Sequence, residues 1–550
     1  MQDEGGSQDG VLPQQVLHLR VQAVPGFAGR TNELTALEQA LWAASSVPAA
    51  RVVAIHGVGG VGKSTLAAEY AWRNRARYRG VWWLRARRRE TLANDLGELG
   101  ARSVAGLDEV AERDKVVRLA LDWVEKDGTG EKPWLIVYDD AGEPGHIDGV
   151  TPRTGAHVLV TSRRSGWSTA AAEVAIPVLP ADAAVQYLLE ATNRSDRTGA
   201  ESLAAALGHL PLALCHAAHY CRSTGMDFAA YRKLAGTLPD RAVDSETEPE
   251  GVEHDPAVIT TVALAIARAA KLCPASEKLM GLAAFWAPDQ IPLSLFPADI
   301  LTDSERTEAV AALAGLALIA LDPLDGGSPG IAMQRLVQGA MRRRLTGMGE
   351  YANAAMLAAE LVADAFPAGD PGSDDARTWP TCARLMPHAM AVLDHAPDTG
   401  AGIARTAHLL SQAVLYLRSR AATAEAVPLA RRAEAILEQF ERETGGRHPD
   451  HALVRSRLAA TQASLCGNGA SQPEPTEAIP GSADAEVTPE TDAGAIADAA
   501  PPIVTNGREP SDLGASAAPD LAPDLAPVAA TPAPPPAGKA TFLNWMFGRQ

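Results

Sequence analysis

Gly57-Val-Gly-Gly-Val-Gly62-Lys63-Ser64-Thr65 lies between a short β-branched run, Arg51-Val-Val-Ala-Ile-His56, and a helix-forming run, Thr65-Leu-Ala-Ala-Glu-Tyr-Ala-Trp72. The stretch fits G-x-x-x-x-G-K-[ST] in the strand–loop–helix setting that a phosphate loop requires. Gly57, Gly59, Gly60 and Gly62 let backbone N–H groups turn inward around phosphate oxygens. The helix N-terminus, with Thr65 in its first turn, adds positive potential. Lys63 is placed to reach the β- and γ-phosphates, and the Ser64 hydroxyl to hold Mg²⁺.

Other strands follow outward from this loop. Gly80-Val-Trp-Trp-Leu84, Pro133-Trp-Leu-Ile-Val-Tyr-Asp139-Asp140, Ala156-His-Val-Leu-Val-Thr161-Ser162-Arg163 and Glu173-Val-Ala-Ile-Pro-Val-Leu179 are apolar runs separated by helical stretches. That pattern gives a parallel α/β sheet with helices on both faces. The polar residues sit at strand carboxyl ends, where such sheets bind ligands. Asp139 is the candidate carboxylate for Mg²⁺ through water, and Asp140 the one that polarises attacking water. Arg163, or Arg164 beside it, is the candidate γ-phosphate contact. Lys63, Asp139, Asp140 and Arg163 form the candidate catalytic set.

At 550 residues, with 46% hydrophobic content, the chain divides into several domains. Residues 1–23 read as a polar leader and 24–180 as the phosphate-loop domain. A helical domain follows at 181–243, then an acidic linker, Asp244–Asp255. Residues 256–346 combine helices with a hairpin, Ala317–Leu321 to Ile331–Met333, which reads as a winged helix. Residues 350–466 read as paired helical repeats. Gly467–Gly538 holds fourteen of 39 prolines and eleven acidic residues against one basic, a composition read as disordered. Lys539–Gln550 turns apolar at Phe542, Leu543, Trp545, Met546 and Phe547: a tethered docking peptide or an incidental tail.

The net charge of −18 argues against nonspecific nucleic-acid binding. The basic run from Arg73 to Arg89 reads as a solvated helix face or, alternatively, a nucleic-acid patch. The apolar run Ala309–Leu321 is too short to span a bilayer and reads as a core helix. Five dispersed cysteines without a C-x-x-C pair point to neither disulfides nor zinc, and a cytoplasmic location is expected. His216 and His219 lack an acid or cysteine partner and read as packing residues.

The motif order resembles the NB-ARC branch of the STAND signal-transduction ATPases over about residues 24–345. The matching residues are Gly29-Arg30 with Glu33-Leu34, the loop Gly57–Thr65, Tyr138-Asp139-Asp140, Thr161-Ser-Arg163, Gly208-His-Leu-Pro211-Leu and Met333-Gln334-Arg335-Leu336. The later helices look like tetratricopeptide repeats of the kinesin-light-chain kind. The resemblance implies that Arg30 lines the adenine, Pro211 packs on the base and Arg163 senses the γ-phosphate. Gln334 stands where the family has a histidine on the ADP β-phosphate; glutamine keeps a donor but no charge. The resemblance also implies an ATP/ADP switch with slow hydrolysis. A ligand or protein partner on the repeats loosens an ADP-held closed form, and the ATP form assembles as a homo-oligomer. Because only 28 residues precede Gly29-Arg30, a separate effector or recruitment through Phe542–Phe547 is expected. A nucleotide-stabilised scaffold and a winged-helix transcription regulator are the other readings.

Overall fold

The computed structural model describes residues 16–19, 27, 29–43, 49–103, 112–129, 132–237, 256–324, 327–367, 370–396, 398 and 403–444, with isolated positions to 460. The acidic linker, the Pro/Ala-rich stretch and the terminal apolar peptide lie outside the described residues.

Six strands build one parallel sheet: β1 (Val16–His18), β2 (Arg51–His56), β3 (Gly80–Arg85), β4 (Trp134–Asp139), β5 (Ala156–Ser162) and β6 (Ala172–Ala175). Their order is β1-β3-β4-β5-β2-β6. Each central strand is apolar on both sides, so alternate side chains feed two cores. Val53, Ile55, Val81, Trp83, Leu135 and Val137 pack under α1 (Thr31–Leu41) and α2 (Lys63–Asn74). Ala54, Trp82, Leu84, Ile136, Tyr138 and Val160 pack under α3 (Arg89–Ser103) and α4 (Arg113–Asp127). A slip of one residue would exchange the two faces, which fixes the register.

The leader reading needs correction. Val16–His18 is an edge strand paired in parallel with Gly80–Trp82, and the His18 ring lies 4.2 Å from that of Trp82. Three residues are too few for a period-2 signal; their strand character comes from the tryptophan edge beside them.

Beyond the sheet the described residues are almost wholly helical. α5 (Ala181–Thr192), α6 (Arg197–Ala206), α7 (Pro211–Thr224) and α8 (Phe228–Ala235) come first. α9 (Pro256–Leu272), α10 (Ala275–Ala283), α11 (Asp303–Gly315) and α12 (Arg335–Gly347) then surround a small antiparallel sheet. Its strands β7 (Ile291–Pro292), β8 (Ala320–Leu321) and β9 (Gly330–Ala332) run in the order β7-β9-β8, so the expected hairpin gains a third strand. Thr302 and Glu305 form a reciprocal capping box at the start of α11.

The run Ala309–Leu321 is not one core helix. α11 stops at Gly315, and Ala317 adopts φ 56°, a left-handed closure that directs the second half of the run into β8. Four further helices follow: α13 (Tyr351–Ala365), α14 (Trp379–Leu393), α15 (Ile403–Ser419) and α16 (Thr423–Thr444). A single apolar core runs from Leu179 through α5–α16 to Leu437.

The basic run around β3 is largely paired. Arg73 meets Glu69, Arg77 meets Glu38, Arg79 meets Asp127, Arg85 meets Asp95, Arg87 meets Asp140 and Arg88 meets Asp394. These guanidiniums are committed to carboxylates of the chain itself. His216 and His219 hold α7 against the end of α11, at the carbonyls of Leu316 (3.4 Å) and Gly315 (3.0 Å).

Candidate nucleotide-binding site

The loop Gly57–Gly62 leaves β2 and turns into α2. Gly60 and Gly62 have φ of 77° and 96°, where a side chain is strained. Gly57 passes the Ile176 carbonyl so closely that a Cβ would sit 2.7 Å from its oxygen. Gly59 lies between these residues, and Thr65 in the first turn of α2. α2 begins at Lys63, so its first N–H groups have no partner within the helix and face the loop.

Lys63 is buried, and its Nζ donates to the carbonyls of Gly57 (2.9 Å) and Val58 (3.0 Å). Burial, and then the Arg163 guanidinium, push its pKa down to about 8, against the pull of Asp139. Two crowded cations at the mouth of a helix N-terminus make a site that an anion would relieve.

Strand order explains the polar centre. β5 lies between β2 and β4. The end of β5 therefore separates the phosphate loop from the acids after β4. Ser64 Oγ donates to Asp139 Oδ1 at 2.7 Å, and Thr161 Oγ1 donates to the same oxygen. Thr161 Oγ1 also accepts from the Asp140 N–H at 2.8 Å. Ser64 and Asp139 thus present their oxygens together, the donor set a small oxygen-seeking cation takes. Among the described residues no group of three or more His, Cys, Asp or Glu is placed to hold a metal.

Asp140 has φ 58° and faces three arginines. Arg87 Nη1 is 3.5 Å away, Arg163 Nε is 3.7 Å away, and Arg335, the first residue of α12, contacts it directly. Arg164 points elsewhere, exposed beside Glu143 at 4.0 Å. Burial, and then Arg87, push Arg335 down to about 9.

Arg30 and the start of α7 reach the loop from either side of it in the sequence. Arg30 is buried; its Nη2 donates to the Val61 carbonyl at 3.0 Å and its Nη1 to Glu33 at 3.1 Å. Pro211 opens α7, and the Leu212 N–H beside it donates to the Gly60 carbonyl at 3.2 Å. Gln334 is exposed at the N-cap of α12 and makes no capping hydrogen bond; the neighbouring Arg335 carries the contact into the site.

No family model matches the chain. It is 32% identical over 207 residues to the regulatory protein AfsR of Streptomyces griseus, a stretch of 35% of this chain and 20% of that protein. The chain therefore spans about a fifth of that relative's length. One solved structure found by comparison is a signal transduction ATPase with numerous domains (STAND) with a tetratricopeptide repeat sensor, from Pyrococcus horikoshii. It is 13% identical with a TM-score of 0.42, over 82% of this chain and 65% of that one. The ORC1 protein of Aeropyrum pernix, solved in complex with DNA, gives 14% identity and a TM-score of 0.25 over 58% of this chain and 94% of that one.

Two residues of this site lie outside the candidate set read from sequence. Thr161 was visible only as a polar strand end; its bridge to Asp139 and Asp140 follows from the strand order. Arg335 was part of the quoted motif, yet no local pattern pairs it with Asp140.

Proposed function

We propose that the chain is an ATP/ADP-controlled switch of the STAND kind. One observation carries this most: the phosphate loop is gripped from two sides. Arg30 holds the Val61 carbonyl, and Leu212, in the helical part, holds the Gly60 carbonyl. Occupancy of the loop therefore bears on how the helical part docks on the sheet, the linkage a ligand-biased two-state protein needs. No helix among the described residues is long and apolar enough to cross a membrane.

In this reading Lys63 and the start of α2 hold the phosphates, Arg30 and Pro211 border the base, and Arg163 meets the terminal phosphate. Ser64 and Asp139 hold Mg²⁺, which would shield phosphate charge when bound. Asp140 orients water. Hydrolysis is a slow reset, the α13–α16 helices receive an activating ligand or protein, and the ATP form self-associates or recruits a separate effector in the cytoplasm.

The test is nucleotide extraction from purified protein, followed by mass measurement in ADP and in a non-hydrolysable ATP analogue. Bound ADP and a larger assembly with the analogue support the switch. Absence of both nucleotide and binding would remove it. Nucleotide binding with an unchanged mass in both states would favour a nucleotide-stabilised scaffold.

A further inference from the structure

We propose that Glu173 is a positioning residue that clasps the loop carrying Arg163 to the end of β2, and so sets how strongly the site tells ATP from ADP. The proposal rests on the switch reading above and adds a residue that governs its nucleotide preference.

Glu173 is the second residue of β6, which pairs in parallel with β2 so that Glu173 lies opposite Ala54. His56 stands two residues further along β2 and shares a sheet face with Ala54. The two carboxylate oxygens of Glu173 take different partners. Oε1 accepts from the Gly166 N–H at 3.1 Å. Oε2 lies 3.4 Å from His56 Nε2. Gly166 belongs to the connection that leaves β5 with Arg163, and His56 is the last residue before the phosphate loop. One side chain thus joins the two segments assigned to the phosphates.

Ser162 at the start of that connection and Trp167 after Gly166 are both buried. Between them the Arg164 N–H donates to Ser162 Oγ at 3.2 Å, and the Gly166 N–H to Glu173. With both ends held, Arg163 stays where its Nε is 3.7 Å from Asp140 Oδ1 and its charge acts on Lys63. Without Glu173 the Gly166 end is loose, and Arg163 must be ordered when nucleotide binds. That cost falls on ATP alone, because ADP offers Arg163 no γ-phosphate. The end of β2 has its own supports. The Ile176 N–H donates to the His56 carbonyl at 2.8 Å, and His56 pairs with Ser162 and Ala175 in the sheet. The two contacts of Glu173 are also unequal. At side-chain exposures of 20% and 23% the His56 pair contributes little. The bond from the Gly166 N–H to a carboxylate is charge-assisted and fixes the main chain. Loss of Glu173 therefore weakens the hold on a terminal γ-phosphate and spares the hold on ADP.

The full-length chain carries the test. Affinities for fluorescent ADP and for a fluorescent non-hydrolysable ATP analogue are measured in the presence of Mg²⁺. Glu173→Ala is expected to weaken binding of the analogue about tenfold and that of ADP by less than about threefold. Glu173→Gln keeps an acceptor for the Gly166 N–H and should restore most of the analogue's affinity. In an Arg163→Ala background, Glu173→Ala should cost the analogue no more than about twofold, because the group it positions is gone. If Glu173→Ala fails to fold, Glu173→Met, of similar length and without an acceptor for the N–H, carries the same arm. Equal losses for both ligands overturn the proposal by making Glu173 a support of the whole site. Unchanged affinity for the analogue overturns it too, as does a loss in Glu173→Gln equal to that in Glu173→Ala. A full tenfold loss persisting in the Arg163→Ala background overturns it as well. Each of these leaves the switch standing. Failure of the wild type to bind either ligand removes the switch reading itself, and this proposal with it.

Discussion

Arg113, the first residue of α4, pairs with Glu425 in the first turn of α16, across 312 positions of sequence. The Arg113 side chain is 7% exposed and Glu425 30%, and the Arg113 N–H also donates to the Arg420 carbonyl at 3.3 Å. The α15–α16 hairpin is thereby fastened to the outer face of the sheet domain. Glu425→Ala is expected to cost about 1.5–3 kcal/mol, the value of a hydrogen bond to a charged group. Amide exchange should quicken first in α4 and the start of α16. Equal exchange in variant and wild type would show that the hairpin docks without this pair.

Lys63 spends its hydrogen bonds on two loop carbonyls, so removing it should leave the fold intact. Lys63→Ala is expected to weaken ADP and ATP binding by roughly ten- to a hundredfold, the loss of one charge-assisted bond of about 1.5–3 kcal/mol. Titration with a fluorescent nucleotide measures it. Affinity equal to wild type would mean that nucleotide sits elsewhere.

Thr161 is the joint of the polar centre. Thr161→Val keeps the shape but deletes the donor to Asp139 and the acceptor of the Asp140 N–H. A loss of about 1–3 kcal/mol in urea unfolding is expected, because a half-buried N–H is left without its partner. Ser162→Ala, which removes only a 3.2 Å bond from the Arg164 N–H, should cost less. Equal costs for both variants would refute the bridging role.

His388 on α14 is buried and lies 3.2 Å, through Nε2, from the Gln290 carbonyl. Burial, and then the Arg85 guanidinium, push it down to about 3. An unfolded histidine titrates near 6.5, so between these values the unfolded chain binds the extra proton. The contribution to stability is complete above about pH 6.5 and is lost as pH falls toward 3, by up to about 1.4 kcal/mol per unit. The urea midpoint should therefore drop between pH 7 and 5. His388→Gln, which keeps a donor for Gln290, should flatten that drop. A slope unchanged by the variant would assign the acid sensitivity to other groups.

Much of this was legible in the chain. The phosphate loop, the acids after β4 and the four apolar strands announce themselves within a few residues, because loop geometry and strand burial are local demands. What stayed hidden depends on neighbours far away in sequence. β1 is a strand because of the β3 edge. Thr161 bridges because β5 separates β2 from β4. The arginines around β3 read as a charged surface until their carboxylates, from Glu38 to Asp394, are placed beside them. The run Ala309–Leu321 looked uniform by hydropathy, while a left-handed residue at Ala317 divided it.

The unbroken apolar core from Leu179 to Leu437 has a mechanical consequence. Helices that share one interior cannot slide past each other without opening it, so α5–α16 should swing as a stiff beam. The pivot then falls between the end of β6 at Ala175 and the start of α5 at Ala181, a stretch bearing Pro177 and Pro180. A push at the far helices would arrive at the glycine turn as rotation about that short strap, with little lost on the way.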